Sequence, residues 1–219
     1  MSYDYMLKCI VVGDTAVGKS CLLLQFTEQR FQNAHDITVG VEFGTRTIEV
    51  RDKKVKVQVW DTCGQESFKS ITRSYYRGSC CVLLVYDITR RASFEHVATW
   101  LEECRQYGGD KMVGLLVGNK TDRDQARMVS YDEGEKFAKE NDLFFIETSA
   151  KTNTNVDEAF VITARAVLEK IAAGEIDVND DACGVKPSGK AGTGGTGAKP
   201  VDVSSATKTT DGAKGGCGC

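Results

Sequence analysis

The 219-residue chain has no apolar run long enough to cross a bilayer. The longest, Cys80 to Tyr86, falls far short of the about 20 residues a spanning helix needs. It has no marked excess of charge of either sign: the formal net charge is −3, so no strong field favours nucleic acid. It has no C-x-x-C pair, and so none of the usual spacing of a zinc site. It has only two histidines, His35 and His96. Neither stands with a Ser, Cys or Asp in an order that suggests a catalytic triad, and both read as surface or loop residues. The start, Met1-Ser2-Tyr3-Asp4-Tyr5, carries an acid and no long apolar stretch, so a secretory leader is not expected. On that reading the nine cysteines, several of them on expected strands (Cys9, Cys80, Cys81), are reduced small hydrophobes rather than a disulfide framework.

What is present is more specific. Hydrophobic residues make up 41% of the chain, enough for a substantial core. Apolar strands are expected at Leu7–Val12, Val41–Val50, Val55–Asp61, Cys81–Asp87, Met112–Asn119 and Phe144–Glu147. Helices are expected at Gly18–Phe26, Ser93–Tyr107, Tyr131–Asn141 and Val156–Ala173, with a shorter one around Ser67–Arg77. The polar Arg51-Asp52-Lys53-Lys54 between two strands implies an antiparallel hairpin. Elsewhere strand and helix alternate, which implies a parallel sheet with helices on both faces. The sequence thus predicts one α/β domain over residues 1–173, three layers deep, with a six-stranded mixed sheet in which one strand is antiparallel. After Gly174 the composition shifts to Gly, Ala, Thr, Lys and Asp. Residues 174–219 read as a flexible tail, and Lys186 to Gly216 as disordered.

In open α/β sheets ligands sit beyond the carboxyl ends of the strands, and the chemical motifs fall there. Gly13-Asp14-Thr15-Ala16-Val17-Gly18-Lys19-Ser20 fits the phosphate-binding loop G-x-x-x-x-G-K-[ST], between an expected strand and the helix expected over Gly18–Phe26, and Cys21 directly after it is counted with it as nucleotide-binding. The glycines let backbone N–H groups turn toward phosphate oxygens, and the helix presents its positive end to them. Lys19 can reach β- and γ-phosphates, and the Ser20 hydroxyl can hold Mg²⁺. Asp61-Thr62-Cys63-Gly64-Gln65 ends the third strand. There Asp61 can hold Mg²⁺, the Gly64 N–H can meet a γ-phosphate, and Gln65 can orient an attacking water. Asn119-Lys120-Thr121-Asp122 follows the fifth strand. The Asp122 carboxylate can accept from the guanine N1–H and exocyclic amine, a donor pair adenine lacks, while the Lys120 stem lies along the ring. Ser149, Ala150 and Lys151, after the sixth strand, can bring backbone N–H groups to the base oxygen. Phe31 can stack on the base, though it reads equally as core. Thr38 can give Mg²⁺ a hydroxyl and the γ-phosphate an N–H. Trp100 reads as core.

These residues bring the chain to a known family. From about Tyr5 to Ala173 it resembles the Rab proteins, membrane-traffic GTPases of the Ras superfamily. The resemblance rests on Val39-Gly40-Val41-Glu42-Phe43, Lys56-Val57-Gln58-Val59-Trp60, Lys69-Ser70-Ile71-Thr72-Arg73-Ser74-Tyr75-Tyr76-Arg77 and Leu84-Val85-Tyr86-Asp87-Ile88-Thr89-Arg90, in addition to the motifs above. It implies a Ras-like P-loop NTPase fold and Mg²⁺-dependent hydrolysis of GTP to GDP, slow without help. No Arg of the chain stands obviously where it could act as a finger, so a GAP supplies one. The resemblance further implies a GEF, a GDP-dissociation inhibitor, a prenylation escort protein and effectors. The effectors would read an exposed triad of Phe43, Trp60 and Tyr75.

The ending Gly215-Gly216-Cys217-Gly218-Cys219 lacks a C-a-a-X cysteine, since Gly216 holds that position. It resembles the double-geranylgeranylation signal of the Rab family, with Cys217 and Cys219 modified and the protein held on the cytoplasmic face of intracellular membranes. Within the family the chain is similar to the Rab-two, Rab-four and Rab-fourteen branch. Gly13-Asp14-Thr15, Gln65-Glu66-Ser67-Phe68 and Ile88-Thr89-Arg90-Arg91 favour the Rab-two type, which implies traffic between endoplasmic reticulum and Golgi. Gly174-Glu175-Ile176-Asp177 and the C-x-C ending are closer to the Rab-four type of early and recycling endosomes. Cys63 replaces the usual Ala beside the γ-phosphate, and Ala16 a frequent Gly. From the residues alone two other readings stay open. One is an ATP-dependent kinase or ATPase, against which Asp122 stands. The other is a nucleotide-locked scaffold, against which Gln65 stands and for which Cys63 speaks.

Overall fold

The computed structural model describes residues 2–32, 38, 40–64 and 69–189. The expected Gln65, His35, Cys217 and Cys219 lie outside them.

The sheet runs β2 (Val41–Val50), β3 (Lys53–Thr62), β1 (Tyr5–Val12), β4 (Cys81–Asp87), β5 (Val113–Asn119) and β6 (Phe144–Thr148) in spatial order. Only β2 runs against its neighbour on this path. Every residue of β4 is buried, as a strand covered on both faces requires. From Phe43 to Glu49 the exposed odd-numbered residues of β2 alternate with half-buried even-numbered ones, as its place at the sheet edge allows. The hairpin between β2 and β3 turns on Arg51 and Asp52, both at positive φ (47° and 59°), which matches the right-handed twist of the two strands.

Helices α1 (Lys19–Glu28) and α6 (Val156–Ala172) cover one face, where Phe26 and Phe160 stack at 3.9 Å. The other face carries α2 (Lys69–Tyr76), α3 (Arg91–Glu95), α4 (Val97–Tyr107) and α5 (Tyr131–Glu140), packed around Tyr76, Tyr86, Trp100 and Leu116. The one helix expected over Ser93–Tyr107 is therefore two. They meet at His96, whose N–H is shared between the carbonyls of Ala92 and Phe94, a tightening that separates the two segments. Helix α5 opens with a reciprocal Ser130–Glu133 capping box.

The six-stranded sheet gains a seventh strand, and the boundary at Gly174 moves. Strand β7 (Val185–Pro187) pairs antiparallel with Tyr5, Met6 and Leu7 of β1. The reason is an open edge: β4 begins opposite Cys9, so the first half of β1 has no partner on that side. The segment after α6 returns to fill it. Lys8 N–H donates to Gly184 O at 2.9 Å and Ser188 N–H to Asp4 O at 2.8 Å. Ile176 and Val185 are buried in the main core. Residues 174–189 thus belong to the folded domain, and the tail expected from residue 174 does not begin there.

Candidate functional site

Beyond the carboxyl ends of β1, β3, β5 and β6 lies a cavity of 430 Å³, in the size range of a small-molecule site. Thr15, Ala16, Gly18, Lys19, Ser20, Cys21, Phe31, Thr38, Gly64, Asn119, Lys120, Asp122, Ala150 and Lys151 line it, all of them expected from the sequence. Phe31 both lines the cavity and packs against the core. Gly13, Val17 and Ser149 lie behind this wall, Val17 and Ser149 fully buried.

The loop from Gly13 to Ser20 wraps around the Lys19 ammonium. Lys19 Nζ donates to the carbonyls of Gly13 and Asp14, each at 2.9 Å. Burial lowers its pKa below the usual lysine value, and Asp61, Cys63 and Asp14 pull it partly back. Gly13 (φ 140°) has no space for a side chain against the Val85 backbone, and Gly18 (φ 101°) opens α1 in a conformation few other residues adopt. Ala16 holds a left-handed φ of 63° without being glycine.

Three oxygen-bearing side chains converge beside Lys19. Ser20 Oγ lies 2.8 Å from Thr38 Oγ1 and donates to Asp61 Oδ2. Asp61 is completely buried, and its Oδ1 has no hydrogen-bond partner among the described residues. Burial pushes its pKa up to about 7, against the pull of Lys19 and Ser20. An orphaned carboxylate oxygen beside two hydroxyls fits Mg²⁺, which takes few protein oxygens and fills its remaining positions with water and phosphate. Cys63, almost fully buried, also lines this cavity, and its N–H donates to Gly40 O. At Gly64 a Cβ would lie 2.7 Å from Gly13 O, so only glycine passes this close to the loop.

At the far end Asn119 ties three segments together. Its Nδ2 donates to Val17 O at 2.9 Å, and its Oδ1 accepts from Thr148 Oγ1 at 3.1 Å and Ala150 N–H at 3.3 Å. Lys120 Nζ bridges Ala16 O and Asp87 Oδ2, each at 2.7 Å. Asp122 accepts from Ser149 Oγ at 2.7 Å. Strand, phosphate loop and the 149–151 loop are thereby held as one wall.

A family model describing the Ras family matches residues 8–169, most of the chain. The chain belongs to the Ras family. It is accordingly a small GTPase, a GTP-hydrolysing switch that works with regulators and effectors.

Some residues of this Ras-family site were not found by sequence reasoning. Arg123 also lines the cavity. Arg127 forks onto Glu147 at 2.6 and 2.8 Å and so braces the end of β6. Arg90 reaches the phosphate loop from outside the cavity, its Nη2 donating to Thr15 O at 2.7 Å. His96 and Trp100 are not merely surface and core. Both bind the Asp14 carboxylate, at 2.8 and 3.0 Å. Asp14 thus turns its side chain away from the cavity. Phe43, Trp60 and Tyr75 meet, with ring centroids 4.7 and 5.3 Å apart along the row, but the triad expected to be exposed is so only at Phe43, since Trp60 and Tyr75 are half-buried by the packing around them.

Proposed function

We propose that the chain is a Rab-type GTPase of the Rab-two kind, cycling on membranes between endoplasmic reticulum and Golgi. The observation that carries the membrane-traffic reading is the packed aromatic row of Phe43, Trp60 and Tyr75. Phe43 is 47% exposed, an apolar ring held ready for a partner. The ending Cys217-Gly218-Cys219 supports the same reading, with both cysteines geranylgeranylated. One lipid chain gives only marginal attachment, whereas two give a stable one.

In this reading Asp122 selects guanine, Phe31 and the Lys120 stem flank the base, and the 13–20 loop with Lys19 holds the phosphates. Ser20, Thr38 and Asp61 hold Mg²⁺, which when bound offsets negative charge on the phosphate oxygens. Gln65 orients the water, Gly64 meets the γ-phosphate through its N–H, and loss of that phosphate frees the segments around Thr38 and Gly64. A second reading, the endosomal Rab-four type, is favoured by Gly174-Glu175-Ile176-Asp177 and the C-x-C ending.

Imaging the tagged full-length chain against Golgi and endosome markers separates the two. Overlap with the Golgi supports the first and overlap with recycling endosomes the second. Replacing both Cys217 and Cys219 by Ser should move the protein to the cytosol with GTP binding intact. A double variant that still fractionates with membranes would overturn lipid anchoring by this ending.

A further inference from the structure

Asp14 is an awkward residue for a loop that cradles phosphates, because its carboxylate carries the same sign as the ligand. The fold resolves this by turning the carboxylate outward and binding it there. Trp100 Nε1 donates to Oδ1 at 3.0 Å, and His96 Nδ1 lies 2.8 Å from Oδ2. Arg90 Nη2 stands 3.9 Å from Oδ2 while donating to the carbonyl of the next residue, Thr15, at 2.7 Å. All three partners come from one stretch of chain, the turn after β4 and the two helices that follow it. From the inner side Lys19 Nζ holds the Gly13 and Asp14 carbonyls, each at 2.9 Å. The crest of the loop is therefore gripped from both sides, and Gly64 packs directly against it.

We propose that Arg90, His96 and Trp100 are positioning residues for GTP binding and hydrolysis. They keep the Asp14 charge away from the γ-phosphate and fix Thr15 in place against Gly64. The inference rests on the GTPase reading and adds to it a set of residues outside the cavity. It carries a sign. GTP places more negative charge at the crest than GDP does, so releasing Asp14 penalises the GTP form more. A side chain that merely supported the fold would weaken both forms alike. The inference also predicts a rescue: once residue 14 is uncharged, loss of His96 or Trp100, which touch only that carboxylate, no longer matters, whereas loss of Arg90 still frees the Thr15 carbonyl.

The test uses the full chain with Trp100→Phe, which keeps an aromatic ring but removes the donor, and with the half-exposed His96→Ala and Arg90→Ala. Each is made alone and combined with Asp14→Asn. Equilibrium binding of fluorescent GTP and GDP analogues and single-turnover hydrolysis are measured, with thermal melting as the control for folding. Each single variant is expected to weaken GTP relative to GDP by about tenfold, the scale of one hydrogen bond to a charged group, and to slow hydrolysis. Adding Asp14→Asn to Trp100→Phe or His96→Ala should return the GTP-to-GDP ratio to near the unmodified value, and adding it to Arg90→Ala should restore the ratio only in part, because Thr15 stays free. Equal weakening of both nucleotides, or a ratio that Asp14→Asn fails to restore in Trp100→Phe and His96→Ala, would overturn the proposal while leaving the GTPase reading intact. Absence of GTP binding in the unmodified chain would overturn both.

Discussion

Ser149 Oγ donates to Asp122 Oδ1 at 2.7 Å, although the two lie on loops after different strands. The bond aims the Asp122 carboxylate into the cavity and occupies one lone pair of one oxygen, leaving acceptor capacity for a base. Asp122→Asn replaces half of that acceptor set with a donor. GTP affinity should fall by about a hundredfold or more, since two hydrogen bonds to a charge are lost. Xanthine nucleotides, whose edge offers the complementary pattern, should gain. A competition assay with GTP, ATP and xanthosine triphosphate reads all three affinities. Full GTP affinity in the variant would mean that the base is read elsewhere.

Asp61 Oδ1, buried and without a hydrogen-bond partner among the described residues, sets the expectation for metal removal. Chelating divalent ions should speed release of bound nucleotide, because the carboxylate and the Ser20 and Thr38 hydroxyls then lose their common partner. Ser20→Asn should harm the GTP form more than the GDP form, since Thr38 joins the site through Ser20. Gln65→Leu should leave both affinities intact and slow hydrolysis, because it removes the amide that places water but no phosphate contact. Effector binding should then persist in Gln65→Leu and vanish in Ser20→Asn. Equal effector binding by the two variants would contradict switching.

How far the sequence could be read depended on whether the signal was local. The run from Cys81 to Tyr86 is apolar because both faces of β4 are covered, and the strand's bounds at Cys81 and Asp87 were legible. So were the hairpin at Arg51–Asp52 and the phosphate loop, whose spacing is dictated by backbone geometry. The grip on Asp14 was not legible, because His96 and Trp100 lie more than 80 residues away along the chain. No period or motif connects them. The return of Val185 to β1 was hidden for another reason. It answers an unpaired edge elsewhere in the sheet, and a few scattered apolar residues, Ile176, Val178, Cys183 and Val185, mark it amid polar sequence. Composition averaged over that stretch reads as tail.

Ala16 offers a test of strain inside the site. Its φ of 63° costs an L-residue about 1–2 kcal/mol, while a glycine there would lose about 0.5–1 kcal/mol through its freer unfolded chain. Ala16→Gly should therefore stabilise the protein by up to about 1 kcal/mol, raising the melting temperature by about 2–4 °C. The Ala16 carbonyl still accepts from Lys120 Nζ, so nucleotide affinity should hold. A lower melting temperature would show that the loop bears this turn without strain.

Gly184 tests whether the returning segment is part of the fold. Its φ is +75°, and a Cβ there would stand 2.7 Å from both Gly78 O and the Ser79 carbonyl carbon. These are backbone atoms, which cannot swing aside as a side-chain tip would. Gly184→Ala should therefore lift β7 from β1. The amide of Lys8, which donates to Gly184 O, is the reporter. Its hydrogen exchange should quicken toward that of a free edge, while amides of β4 and β5 keep their protection. Nucleotide affinity should not change, because β7 pairs at the start of β1, roughly 20 Å of strand from the phosphate loop at its end. Unchanged exchange at Lys8 would mean that Gly184 does not hold the strand. Loss of protection across the whole sheet would mean that residues 174–189 are as essential to the core as α6.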